Sequence, residues 1–158
     1  MAGGDSANQL MVVIWALSVA AMDIAQRRIP NFLVGGAAFV CLFALAWIGQ
    51  APLGGGPWSV AGGLALALLL TLPGYLMRQL GAGDVKMLMA VATMGGYVLV
   101  VQTFVIGSLL AAGLVFFYWR FPREQAPARL PGKYLPFGAA LAVGLIGSLL
   151  LLPAVHPR

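Results

Sequence analysis

A bundle of membrane-spanning α-helices, six in number with both termini on the periplasmic side, is the fold class the sequence predicts. Three observations predict it: the composition, the lengths of the uncharged runs and the placement of the basic residues. Of 158 residues, 61% are hydrophobic and 8% charged, where a soluble domain carries about 25% charged residues. So little charge could not keep a soluble surface wetted. The 21 glycines fit the same class, because small residues let helix backbones approach closely in lipid.

A helix crossing a bilayer needs about 20 apolar residues. Residues 6–22 are uncharged and form the first span, ending on Asp23. No charge occurs from 29 to 77, but the run Gly49-Gln50-Ala51-Pro52-Leu53-Gly54-Gly55-Gly56-Pro57 is a turn signal. It separates a span near 31–48 from another near 58–77, and Pro73-Gly74 is expected to kink the latter. Residues 87–119 are again uncharged, with Gly95-Gly96 as the break. That run reaches about 50 Å at 1.5 Å per residue, where two crossings need about 60 Å. One of its two helices must be short, and the short one begins just after Asp84. Residues 120–133 form a polar loop, and 134–152 a last span entered through Leu135-Pro136. No repeat of fixed period is evident, and residues 1–158 read as a single domain.

Six alternating crossings put Arg27, Arg28, Arg78, Lys86, Arg120, Arg123, Arg129 and Lys133 on one face and leave only Arg158 on the other. Cytoplasmic loops are enriched in Lys and Arg, so that face is expected to be cytoplasmic. A count of five helices, with 85–96 not crossing, would put the 120–133 loop on the wrong side. The net charge of +5 follows from this bias and from anionic headgroups, so the lipid bilayer, not nucleic acid, is the expected partner. Met1–Gln9 carries Asp5 and no basic residue, which argues against a cleaved signal peptide. Cys41 is the only cysteine and His156 the only histidine, so neither a disulfide nor a metal site is expected.

Only four acidic residues are present. Asp5 lies in the tail and Glu124 in the polar loop, where solvation accounts for both. Asp23 and Asp84 each adjoin an apolar span on the cytoplasmic side, and an ionisable group at such a boundary is a functional candidate. Two facing carboxyl groups cannot both ionise cheaply, so they share a proton. The ionised member can take a proton from water while the protonated one donates to a peptide carbonyl. This is the chemistry of peptide hydrolysis, and it requires the first and fourth helices to pack together. Each residue also has a plainer explanation. Asp23 can pair with Arg27 four residues on, and Asp84 can cap a helix over Val85–Met94.

Gly81-Ala82-Gly83-Asp84 places glycines where an extended substrate could approach the carboxylate, which makes Gly81 and Gly83 candidate substrate-binding positions. Lys86 is a third, placed to pair with a carboxylate or with headgroups. A proton- or cation-coupled transporter would also use intramembrane acids, though nearer the midplane and with polar companions that this chain lacks in number. A structural subunit of a secretion complex would need no paired acids.

Together these segments resemble the type IV prepilin peptidase family. Three stretches carry the resemblance: Asp23 followed by Arg28-Ile29-Pro30-Asn31, then Gly81-Ala82-Gly83-Asp84-Val85-Lys86-Met87, then Lys133-Tyr134-Leu135-Pro136-Phe137-Gly138. Family members have an Asp before an R-x-I-P-N stretch, a G-x-G-D-x-K segment and a late P-F-G ahead of the last helix. The order matches, over nearly the whole chain. A presenilin-like protease shares the GxGD element but not the other two. The resemblance implies an inner-membrane aspartyl endopeptidase that removes the short basic leader, a class III signal peptide, from Flp-like prepilin and pseudopilin precursors at the cytoplasmic face. Asp23 and Asp84 would be its catalytic pair, with no cofactor. Many larger members carry an N-terminal cytoplasmic insertion with paired cysteines and also methylate the new N-terminus. This sequence is similar to the small peptidase-only branch associated with Flp-type and tight-adherence pili, for which methylation is not expected.

Overall fold

Local sequence sets where each helix starts and stops. The computed structural model describes residues 2–26, 29–120 and 137–151. They form α1 (Ala2–Gln26), α2 (Asn31–Ile48), α3 (Pro57–Leu76), α4 (Ala82–Arg120) and α5 (Phe137–Leu151), with no strand among the described residues. Pro30 precedes α2 in an extended conformation, and Gly49 closes it in the left-handed region, donating its N–H to the Leu45 carbonyl. Pro57 opens α3, where its missing N–H costs nothing. Pro73 lies inside α3, which runs on to Leu76, close to the expected end of that span. Residues 134–136 and 152 of the expected last span, most of the polar loop, and Arg27 lie outside the described residues.

One break divides α4. Gly96 has φ 78° and ψ −162°, a combination open in practice to glycine alone. It separates an arm of residues 82–95 from one of 97–120. The first arm holds about 14 residues and is therefore ~21 Å long, short of the ~30 Å hydrocarbon layer. This is the short helix that the uncharged run demands, although it starts at Ala82, two residues before Asp84 and not after it.

The first arm is the centre of the bundle. Met87, Leu88 and Val91 are fully buried, and α4 packs against α2, α3 and α5, while α1 packs on α5. A helix that is apolar all round belongs inside. At one end of the bundle, Asn8 Nδ2 donates to the Pro52 carbonyl at 2.9 Å, and Leu53 N–H donates to the Met94 carbonyl at 2.8 Å. The start of α1, the α2–α3 turn and the α4 break therefore share that end.

Glycine sets the spacing between α4 and α5. A Cβ on Gly144 would stand 2.6 Å from the Thr103 carbonyl oxygen and 2.7 Å from the Gly107 nitrogen. Gly144→Ala is expected to force the helices apart and destabilise the bundle by ~1–3 kcal/mol, the usual cost of overpacking. Thermal unfolding in detergent reads this as a lower melting temperature.

Outward faces are apolar. Phe39, Phe43 and Trp47 of α2 are exposed, and Trp58 at the start of α3 is 91% exposed. Exposed apolar surface on this scale needs lipid, not water. Trp47 and Trp58 flank the same turn, the position at which aromatic residues gather at a membrane interface. Four helices are long and apolar enough to cross a membrane, with the 15-residue α5 as a shorter apolar helix. The chain is a helical membrane protein.

Candidate active site

Helical register carries Asp23 inward. Val12, Ala16 and Val19 are the buried residues of α1, and Asp23 follows them at the next step of 4, with 7% of its surface exposed. Steps of three and four keep a residue on one helix face, so Asp23 occupies a core position filled by a carboxylate. Its Oδ2 accepts a hydrogen bond from the Ala139 N–H at 2.8 Å, across 116 residues of sequence. Ala139 stands in the first turn of α5, where backbone N–H groups have no partner within the helix and carry partial positive charge.

Asp84 is placed by the same logic on α4. It leads the buried stripe Met87, Leu88 and Val91 at spacings of three, four and seven, and is itself 9% exposed. Its Oδ2 accepts from the Gly81 N–H at 2.9 Å, and the Asp84 N–H in turn donates to the Gly81 carbonyl at 3.1 Å. The reading of Asp84 as an N-cap is therefore corrected. The helix begins at Ala82, so Asp84 is its third residue and reaches back to the residue before the helix, as the acid of a capping box does.

The two carboxyl groups share one end of the bundle, because Ile29 lies against both Gly83, next to Asp84, and Gly138, next to which Asp23 lies. Each is held through Oδ2 by one backbone N–H. Among the described residues, neither Oδ1 accepts a hydrogen bond, and neither is among the fully enclosed polar atoms. The arrangement thus offers two free carboxyl oxygens at one end of the bundle, from two helices.

Ile29 fills the space beside them. A Cβ on Gly83 would meet Ile29 Cβ at 3.3 Å, and one on Gly138 would meet Ile29 Cδ1 at 2.7 Å. Lys86 Nζ donates to Asn31 Oδ1 at 2.9 Å. Residues 29–31, 81–86 and 137–139 therefore converge on the end of the bundle that also bears Asp23.

Of the candidate substrate positions, Gly81 and Lys86 are exposed and Gly83 is half-buried. Gly81 and Gly83 both have internal work as well, since one supplies an N–H to Asp84 and the other makes room for Ile29. Sequence reasoning passed over Ile29, Asn31 and Ala139 as parts of the site. The signal available was the inward stripe on which each aspartate falls. Asn31 and Lys86 form an exposed hydrogen bond, a class worth about 1 kcal/mol. Lys86→Met is accordingly expected to lower peptide cleavage by less than ~10-fold, measured as initial rate at matched enzyme levels.

No curated protein matches the chain at significance, and no solved structure does. A family model does match. Residues 10–116, which hold both aspartates, the Ile29–Asn31 segment and the Gly81–Lys86 segment, fit the type IV leader peptidase family. That match covers more than half of the chain and every described residue of the site except those of α5, so the protein belongs to the type IV leader peptidase family and is a peptidase of the membrane.

Proposed function

We propose that the protein cuts the short basic leader from prepilin and pseudopilin precursors of the Flp-like kind, with Asp23 and Asp84 as its catalytic pair. The observation that carries this reading is the pair itself: two buried carboxyl groups from α1 and α4 at one end of the bundle, each with Oδ2 tied to a backbone N–H and, among the described residues, Oδ1 without a partner. Membership of the family supplies the reaction class. One carboxylate takes a proton from water as it attacks the scissile carbonyl carbon. The other, protonated, donates to the carbonyl oxygen; the first then passes its proton to the nitrogen, the C–N bond breaks to release the amine, and the new hydroxyl returns a proton to the second carboxylate. The shared proton belongs to the pair, and either residue can serve as base.

The reading extends to topology. Counted as two crossings, the arms of α4 on either side of Gly96 make six with the other four helices, and the proposed orientation puts the catalytic end on the cytoplasmic face of the inner membrane and both termini in the periplasm. The basic residues Arg78 and Lys86 beside the site support that orientation. The precursor's apolar helix lies in the bilayer against the bundle, held by packing. Its leader passes in extended form over the exposed side of Gly81, with Gly83 and Lys86 alongside.

The test is cleavage of a co-expressed pilin precursor with membrane levels of enzyme matched. Wild type should yield a shorter product whose new N-terminus, read by mass spectrometry, immediately precedes the apolar helix. Asp23→Asn and Asp84→Asn should yield none. A shorter product from either variant would sink the two-aspartate reading.

A further inference from the structure

We propose that Gly138 is a positioning residue for the hydrolysis: the bare backbone at the start of α5 is the seat on which the Asp23 carboxylate is held. The inference rests on the reading of Asp23 as one of the catalytic pair.

The geometry is tight from three directions. A Cβ at position 138 would stand 2.9 Å from Asp23 Oδ2, 3.1 Å from Asp23 Cγ and 2.7 Å from Ile29 Cδ1. Real Cβ atoms do not approach heavy atoms so closely, so any side chain there must displace Asp23, Ile29 or the start of α5. Glycine is needed here for room, since its φ is not in the left-handed region. The hydrogen bond explains why the room matters. Asp23 Oδ2 reaches the Ala139 N–H at 2.8 Å only by lying over position 138. Bonds from an N–H to a charged acceptor are short and directional, so this one fixes the plane of the carboxyl group and leaves Oδ1 to the water.

The seat is independent of the one that holds Asp84. Asp84 is tied within its own turn, by Gly81 three residues away. Asp23 is tied by a helix 116 residues distant. The docking of α5 on α1 therefore decides where Asp23 stands, while Asp84 carries its own support. Loosening the start of α5 should disturb one aspartate and spare the other. Misplacement of a reacting group by about 1 Å can cost ~10²-fold in rate.

The experiment uses the full-length enzyme in detergent, with a purified pilin precursor carrying its leader and apolar helix. Gly138→Ala is expected to lower kcat by ~10–100-fold with KM within about threefold of wild type. Ala139→Pro removes the donor and sets its ring carbon where Asp23 Oδ2 accepts, so it displaces the carboxylate without a change at 138. It is expected to lower kcat by ~10-fold or more with KM likewise unchanged, and it serves as the test should Gly138→Ala fail to fold. Gly144→Ala, in the same helix but against α4 and away from the aspartates, should lower the melting temperature and lower kcat per folded enzyme far less than Gly138→Ala does.

Ile29→Val separates the two contacts, because it removes Cδ1 and leaves Asp23 in place. If the Gly138→Ala/Ile29→Val double variant stays as slow as Gly138→Ala, displacement of Asp23 is the cause. Restoration of kcat by Ile29→Val would overturn the proposal, leaving Gly138 as packing for Ile29. Wild-type kcat in Gly138→Ala or in Ala139→Pro would overturn it too, as would a KM rise that accounts for the whole loss. Asp23→Asn distinguishes the two levels of failure. If that variant still cleaves, the catalytic reading of Asp23 fails. If it is inactive while Gly138→Ala is not, only the positioning role fails.

Discussion

Asp84→Asn and Asp23→Asn are each expected to lower kcat for precursor cleavage by at least ~10²–10⁴-fold, the usual contribution of a positioned acid or base. Asparagine keeps the shape of the side chain and an oxygen that can accept from the same backbone N–H, so each helix-start hydrogen bond can survive. What is lost is the ability to exchange a proton at the free oxygen. In the proposed mechanism the two groups act as a unit through one shared proton, so removing both should cost little more than the worse single change. Additive losses would mean that the two residues act in separate steps. Intact enzymes are required for this comparison. Membrane level, circular dichroism and melting temperature should stay near wild type in both single variants, since the hydrogen bonds at 2.8 Å and 2.9 Å are retained.

Gly96→Ala should produce the largest loss of stability of any single methyl addition, ~3 kcal/mol or more. Two costs combine. The backbone at φ 78° and ψ −162° excludes a side chain, and strain of this kind costs ~1–3 kcal/mol. The added Cβ would also collide with the Ser59 side chain, and overpacking costs a further ~1–3 kcal/mol. The measurement is thermal unfolding in detergent, with Ser59→Gly as the second partner of a double-mutant cycle. Ser59→Gly should recover the collision and leave the strain, so only part of the loss returns. Full recovery would mean that the α4 backbone relaxes freely at the break. The first arm of α4 separates Gly96 from Asp84 by ~20 Å, so cleavage per folded enzyme should hardly change. A stability defect without a kinetic one, set against the aspartate variants with the opposite pattern, separates the scaffold from the chemistry.

Where the sequence was readable, the signals were local. Gly49 and Pro57 bound the α2–α3 turn because a left-handed cap and a helix-opening proline are decided within a few residues. The break at Gly95-Gly96 followed from the length of the uncharged run. The inward placement of Asp23 and Asp84 was legible in principle from Val12, Ala16 and Val19 and from Met87, Leu88 and Val91, since register on a helix is a matter of counting. The role of Asp84 in its helix was not readable in this way. Asp84 looked like an N-cap, because aspartate is favoured there. Only the position of the first helical residue shows that it is the third residue of α4 and binds backward to Gly81.

By itself the sequence determined a bundle of apolar helices, the positions of its turns and the two acidic residues that adjoin apolar spans. It could do so because composition, charge and helix-breaking residues act over short stretches of chain. The tertiary structure decided what those residues meet. Asp23 finds the Ala139 N–H across 116 residues, Lys86 finds Asn31 across 55, and Ile29 fits between Gly83 and Gly138. Such contacts depend on which helices pack together and at what spacing. Glycine at the crossings sets that spacing, and no periodicity within a single helix encodes its partner.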